Sequence, residues 1–93
     1  MNEKKLKKAR NQIDKLDRSI FFLLKKRTKI VSHMLSLKQF KKQIVDKKRI
    51  NIILKNIRKK SLQHGIDPKI TNRIWRSMIW SYVQYQRKNF KKK

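Results

Sequence analysis

The chain has no cysteine, one glycine, one proline and only five acidic residues among its 93 residues. Without cysteine it can form neither disulfides nor thiolate metal sites, and it has no cysteine nucleophile. Its longest uninterrupted apolar run, residues 20–24, is far shorter than the ~20 residues of a membrane-spanning helix. The run is also too short for a secretory signal. We therefore expect a soluble, cytoplasmic protein that does not enter a membrane.

Lysine and arginine are abundant instead, and their 29 side chains give a formal net charge of +24. Such an excess is compatible with a polyanionic partner, so one hypothesis is a basic, helical nucleic-acid-binding protein. Aromatic and basic residues alternate near the end of the chain, as on a stacking and phosphate-binding surface. The lysines, however, are spread over every segment, and many fall where a helix would face solvent. A solvated cationic surface explains the charge more simply.

Gly65 and Pro68 mark the one clear break in a chain of almost unbroken helical periodicity. Asp46 and Asp67 are the predicted N-caps of the helices that follow them, with Pro68 at the first position of the last helix. The fold class is therefore all-α. The predicted helices cover residues 3–38, 47–63 and 68–89, with a connection over 39–46.

The first predicted helix is about 36 residues, or roughly 54 Å, long. It is too long to be covered by two other helices of a compact 93-residue chain. From residue 6 it keeps a heptad seam of the kind that packs against partner helices. The seam comprises Leu6, Ala9, Ile13, Leu16, Ile20, Leu23, Arg27, Ile30, Met34 and Leu37. We expect a single domain over residues 1–93, frayed at 1–5 and 90–93, with a partner chain along the seam.

Arg27 is the anomaly in this seam, because a buried guanidinium costs several kcal/mol unless an anion or a hydrogen-bonding partner meets it. Lys38 leaves the helix on nearly the same face, roughly 16 Å further on, so both heads can reach a small ligand between them. Arg10 is roughly 42 Å from Lys38. Arg10 could contact the same ligand only from a second, antiparallel copy of the chain. The alternative is that it forms an ordinary ion pair with Asp14, one helical turn further on.

Two further polar residues are candidates for the same site. Gln86 lies on the apolar face of the last helix, one turn after Tyr82. Arg49 follows Asp46 by three residues and could simply pair with it. The sequence contains no phosphate-binding glycine loop, Ser/His/Asp array or metal-ligand spacing. An enzyme built on this chain would work without covalent catalysis or a metal.

Together these residues resemble the all-helical chorismate mutase family. The matching pattern covers about residues 6–87: Arg10-x-x-Ile13-Asp14-x-x-Asp17, Leu23-Leu24-x-x-Arg27, Lys38, Val45-Asp46-x-x-Arg49, Gly65-Ile66-Asp67-Pro68 and Tyr82-x-x-x-Gln86. The resemblance implies an intertwined homodimer of three-helix chains. It also implies the cofactor-free rearrangement of chorismate to prephenate, in phenylalanine and tyrosine biosynthesis.

The resemblance further implies the residues of the site. Each site would be lined by Arg27, Lys38, Asp46, Arg49 and Gln86 of one chain and Arg10 of the other. Arg10 and Arg27 would bind the two carboxylates of chorismate. Lys38 and Gln86 would donate hydrogen bonds to its ether oxygen.

Two positions depart from the mutase pattern. Mutases commonly have glutamate where this chain has Ile50, and a small residue where it has Tyr82. Both departures resemble the isochorismate pyruvate lyases, a sister branch with the same fold that forms salicylate and pyruvate. The Val45-Asp46-x-x-Arg49 segment keeps the mutase form. The pattern therefore favours a mutase, with the lyase as the alternative, and Ile50 and Tyr82 as further substrate-contacting positions.

Overall fold

The computed structural model describes residues 2–91 and consists of three α-helices. These are α1 (Glu3–Leu37), α2 (Lys47–Gln63) and α3 (Pro68–Asn89). No strand occurs among the described residues, so the all-α prediction is confirmed. The connection between α1 and α2 also contains a short 3₁₀ helix, Lys41–Gln43, which the sequence analysis did not predict.

The starts of α2 and α3 are fixed by the two predicted caps. The Asp46 carboxylate accepts a hydrogen bond from the backbone N–H of Arg49 at 3.0 Å, and that of Asp67 accepts one from Lys69 at 2.9 Å. Each bond satisfies one of the N–H groups that the first helical turn leaves without a partner. Pro68 takes the first helical position, where its missing N–H has no cost.

The end of α2 depends on Gly65. Its φ of 68° lies in the left-handed region, which a residue without a Cβ adopts readily. The reversal lets the Ile66 N–H bond back to the Ser61 carbonyl at 2.9 Å, as in a Schellman motif. The chain can then turn directly into the Asp67 cap and α3.

The chain forms two compact units, one up to Val31 and one from Ser32 onward. The first unit consists of the larger part of α1. Most of its apolar side chains are exposed, including those at the predicted seam: Leu6 49%, Ile13 57%, Leu16 62%, Ile20 54%, Leu23 63% and Ile30 61%. The single domain expected over residues 1–93 stays a prediction.

The second unit has a small core built from the end of α1, the connection and α3. Leu35, Ile44 and Val83 are buried together, and Val45 and Phe90 pack against them. Helix α2 packs on α3. Near the α2–α3 turn, the buried Ser61 hydroxyl bonds to that of Thr71 at 2.7 Å.

Ile70 and Ile74 follow the apolar periodicity of α3 but lie outside its buried face. Ile70 and Ile74 are 55% and 53% exposed, whereas Ile79 and Val83 are buried. Nine residues separate Ile74 from Val83, which places them about 180° apart around the helix. Two such positions cannot face the same core.

Both ends of the chain, residues 1–5 and 90–93, are predicted to fray. Among the described residues, Glu3 begins α1, and Phe90 follows α3 in an extended conformation and packs against the core. Met1, Lys92 and Lys93, which that expectation also included, lie outside the described residues. No helix between residues 2 and 91 combines the length and the apolar character that crossing a membrane requires.

Candidate active site

Lys38 and Gln86, 48 residues apart in sequence, meet directly in the second unit. The Lys38 ammonium donates a hydrogen bond to Gln86 Oε1 at 2.7 Å. Lys38 is the first residue after α1, and its backbone N–H still bonds to the Leu35 carbonyl at 3.1 Å. The end of α1 therefore holds the ammonium against the last turns of α3.

Gln86 is only 7% exposed, which is unusual for an amide. Its Nε2 donates to the Tyr82 carbonyl at 3.2 Å, so both ends of the amide have partners. An ammonium has three N–H donors and a primary amide has two. Each side chain therefore keeps at least one donor beyond these two bonds, and a ligand oxygen could accept from both.

The ammonium of Lys38 is partly removed from water. Burial lowers its pKa below the ordinary value of 10.5, and the nearby Asp46 carboxylate opposes this by favouring the charged form. Burial is the larger effect, so the positive charge is held at a cost in this position. An anion or a partly charged oxygen binding there would relieve that cost.

Asp46 and Lys38 line the same open cleft, together with Gln43, Val45 and Lys47. The Asp46 carboxylate thus acts both as the cap of α2 and as a charge beside Lys38. Arg49 is anchored through its backbone at the start of α2, and its side chain is exposed.

The two positions that depart from the mutase pattern lie in different surroundings. Tyr82 is half-buried, one turn before Gln86, whose amide it anchors through its carbonyl. Ile50 is half-buried and lines a neighbouring cleft between α2 and α3, with Leu54, Ile79 and Trp80. The carboxylate expected at position 50 in a mutase is thus replaced by an apolar side chain.

The other two predicted cations, Arg10 and Arg27, belong to the first unit. Arg27 is half-buried, whereas Arg10 is exposed near the start of α1. Their part in a site with Lys38 stays a prediction based on spacing along the helix.

Three polar residues near the site were not predicted from the sequence. Gln43 Oε1 accepts hydrogen bonds from the backbone N–H groups of Gln39 and Phe40, both at 2.8 Å, and so closes the turn after Lys38. Ser32 and Tyr85 join their hydroxyl groups at 2.6 Å, which ties the last turns of α1 to α3. An amide three residues after Phe40 is a weak turn signal, and nothing in the sequence links Ser32 with Tyr85.

Comparison with known proteins places most of the chain within a known family. The family model of chorismate mutase type II matches residues 9–87. No curated protein and no solved structure gives a significant match. The matched region contains Lys38, Gln86 and both capping aspartates, and its three helices are those described above. The chain belongs to the chorismate mutase type II family.

Proposed function

We propose that this protein converts chorismate to prephenate, as a cytoplasmic enzyme of phenylalanine and tyrosine biosynthesis. The observation that carries the proposal is the pairing of Lys38 with Gln86 at 2.7 Å in a partly desolvated position. Both groups donate N–H bonds, and neither the amide nor the protonated amine is a nucleophile. Such a pair suits a rearrangement in which one oxygen gains charge and no covalent intermediate forms.

The oxygen in question is the ether oxygen of chorismate. As its bond to the ring breaks, the oxygen gains negative charge, and donors fixed in advance stabilise it more than they stabilise the substrate. Lys38 supplies a charged donor and Gln86 a neutral one. Because Gln86 is held by the Tyr82 carbonyl and Lys38 by Gln86, little reorganisation is needed during the reaction.

Arg27 and Arg10 are proposed to bind the two carboxylates and thereby fold the side chain of chorismate over its ring. A guanidinium can bind a carboxylate through two parallel hydrogen bonds, which fixes orientation as well as position. Even an acceleration of ~10⁶ requires about 8 kcal/mol. Orientation of the reacting ends and a few charge-assisted contacts are together large enough to supply it.

The proposed enzyme is a homodimer, because Arg10 lies too far along α1 to reach Lys38 of its own chain. The exposed seam of α1 supports this proposal. Leu16, Leu23 and Ile30 are each about 60% exposed in the single chain. A second copy packed along α1 would cover these side chains and bring Arg10 of the partner subunit to the site.

Isochorismate pyruvate lyase activity is the second candidate, and Ile50 and Tyr82 favour it. Ile50 cannot accept a hydrogen bond from a ring hydroxyl, as the mutase glutamate does. Tyr82 places a large side chain where mutases have a small one. The two activities would share the same cationic residues and differ in the ring isomer that fits.

Incubation of the purified protein with chorismate and isochorismate separately, with prephenate and salicylate quantified, tests both candidates. We expect prephenate from chorismate and little salicylate. Gln86→Leu should lose most of the turnover because a donor is removed, whereas Gln84→Leu, an exposed position on the same helix, should retain it. A folded protein that forms neither product would refute the proposal.

The contribution of Arg10 across the dimer can be tested by mixing two inactive variants, Arg10→Ala and Arg27→Ala. Each mixed dimer should contain one site with both arginines intact. After complete exchange of equal amounts, about a quarter of the wild-type activity should return, since half of the dimers are mixed and each has one working site. No recovery after verified subunit exchange would exclude a site shared between chains.

A further inference from the structure

The outward face of α3 is strongly basic, and the proposed reaction makes no use of it. Helix α3 contains no acidic residue. Four of its five exposed cations recur at intervals of three, four or seven residues around Trp80, which places them on one side of the helix. We call this set the α3 basic face: Lys69, Arg73, Arg76, Trp80 and Arg87. It extends for roughly 27 Å.

Arginine is prominent on this face, although the basic residues of the chain are mostly lysine. A general bias towards lysine explains a cationic surface but not three arginines out of four cations. A guanidinium presents five N–H donors in a planar fork that fits phosphate oxygens, which an ammonium does not. Arg76 Nε donates to Asn72 Oδ1 at 3.1 Å, which orients its guanidinium while leaving other donors for a ligand.

Trp80 lies at the centre of the face and is 49% exposed. It lines the cleft between α2 and α3, whose apolar lining comprises Ile50, Leu54 and Ile79 among others. Lys47, Asn51 and Arg76 also line this cleft, and no carboxylate is among its lining residues. A flat ring could stack on Trp80, with an attached anionic group on Lys47 or Arg76.

We propose that the α3 basic face and this cleft bind single-stranded nucleic acid, with one base stacked on Trp80 and phosphates on the arginines. Aromatic side chains flanked by cations are the usual means of binding single strands, because every base has a stacking face. In a duplex the bases are already stacked on each other. A membrane surface fits less well, because interfacial helices present a broad apolar face and Trp80 is the only apolar member of this set.

The α3 basic face lies on a different side of α3 from Gln86, although its cleft adjoins the proposed active site and shares Val45 and Lys47 with the cleft around Lys38. Trp80 precedes Gln86 by six residues, so the two side chains leave α3 about 120° apart. Lys38 contacts α3 at Gln86, away from the basic face. Neither Lys38 nor Gln86 belongs to the α3 basic face, so the two functions can be tested with separate variants.

Fluorescence anisotropy of a labelled single-stranded RNA of about 12 nucleotides, titrated with the protein over a range of salt concentrations, tests the proposal. The double variant Arg73→Gln/Arg76→Gln should bind about tenfold more weakly at 0.15 M salt, with a slope of log K against log salt reduced by about 1.4. The matched control Lys5→Gln/Lys8→Gln loses the same charge from exposed positions of α1. It should bind nearly as well as the wild type.

A third variant separates stacking from charge. Trp80→Leu should bind about tenfold more weakly with an unchanged salt slope, because only stacking is lost. Chorismate turnover should be unaffected in all three variants, so a failure here does not bear on the proposed reaction. Equal losses in the two double variants would overturn the proposal. So would tighter binding to duplex RNA or anionic vesicles, or binding that is insensitive to Trp80→Leu.

Discussion

Gln86→Glu replaces the amide that binds Lys38 by a carboxyl group of nearly the same shape. An amide donates hydrogen bonds at any pH, whereas a carboxyl group donates only while it is protonated. Its ordinary pKa is about 4.3, so at pH 7.5 only about one molecule in 1,600 would be protonated. Two local effects oppose each other: burial of the position raises the pKa of the introduced carboxyl, and the Lys38 ammonium at hydrogen-bonding distance lowers it.

If these effects balance, kcat/KM of the variant should fall about 10³-fold at pH 7.5, because the rate follows the protonated fraction. Whatever the balance, kcat/KM should rise about tenfold for each pH unit on acidification, until the carboxyl is protonated. The wild-type amide does not titrate and should show no such rise. The measurement is prephenate formation from pH 5 to 8, with Gln84→Glu on the exposed side of α3 as control. A flat profile near wild-type activity, together with full activity of Gln86→Leu, would show that Gln86 does not donate to the transition state.

Three further predictions concern Lys38 and the seam of α1. Because burial lowers the pKa of Lys38 and the reaction needs its charged form, kcat/KM should fall as pH rises through a value below 10.5. A guanidinium stays charged over this pH range, so any activity that Lys38→Arg retains should not decline at alkaline pH. If the variant shows the same decline as the wild type, deprotonation of Lys38 does not cause it. Arg27→Leu should abolish turnover while preserving or raising the melting temperature, and a fully active variant would contradict its assigned role. Ile20→Glu should weaken the dimer in sedimentation equilibrium more than Phe22→Glu, although the two side chains are similarly exposed in the single chain. Equal effects would argue against the predicted seam.

The helices could be predicted from the sequence wherever a local signal fixes them. Asp46, Gly65, Asp67 and Pro68 act within a few residues of their own positions, so the bounds of α2 and α3 followed from chemistry that a sequence displays. The 3₁₀ turn after α1 depends instead on the side chain of Gln43, which closes it from within the connection. Its geometry is one of several that a polar connection of that length permits.

Packing and site geometry were harder to predict, because they depend on which faces meet. Ile70 and Ile74 fit the periodicity of an apolar stripe, yet they lie on the side of α3 away from Val83. An apolar stripe indicates that a helix packs against other helices, but it does not show how many helices pack there or on which side. Lys38 and Gln86 were each recognised by position and by the family pattern. Their mutual hydrogen bond depends on the turn and on the packing of α3 against the end of α1, and neither can be read from periodicity.

The exposed seam of α1 indicates why an arginine within it is informative. Full burial of a leucine or isoleucine side chain contributes roughly 1.5–3 kcal/mol. Leu16, Leu23 and Ile30 are each about 60% exposed, so a partner helix that covered them would gain on the order of 1–2 kcal/mol from each. At Arg27 the same packing would require a cation to lose part of its water, a cost that a bound dicarboxylate would offset. Because the proposed ligand contacts Arg27 of one chain and the arginine at position 10 of the other, it should stabilise the dimer, and the Arg27→Leu dimer should lose that dependence.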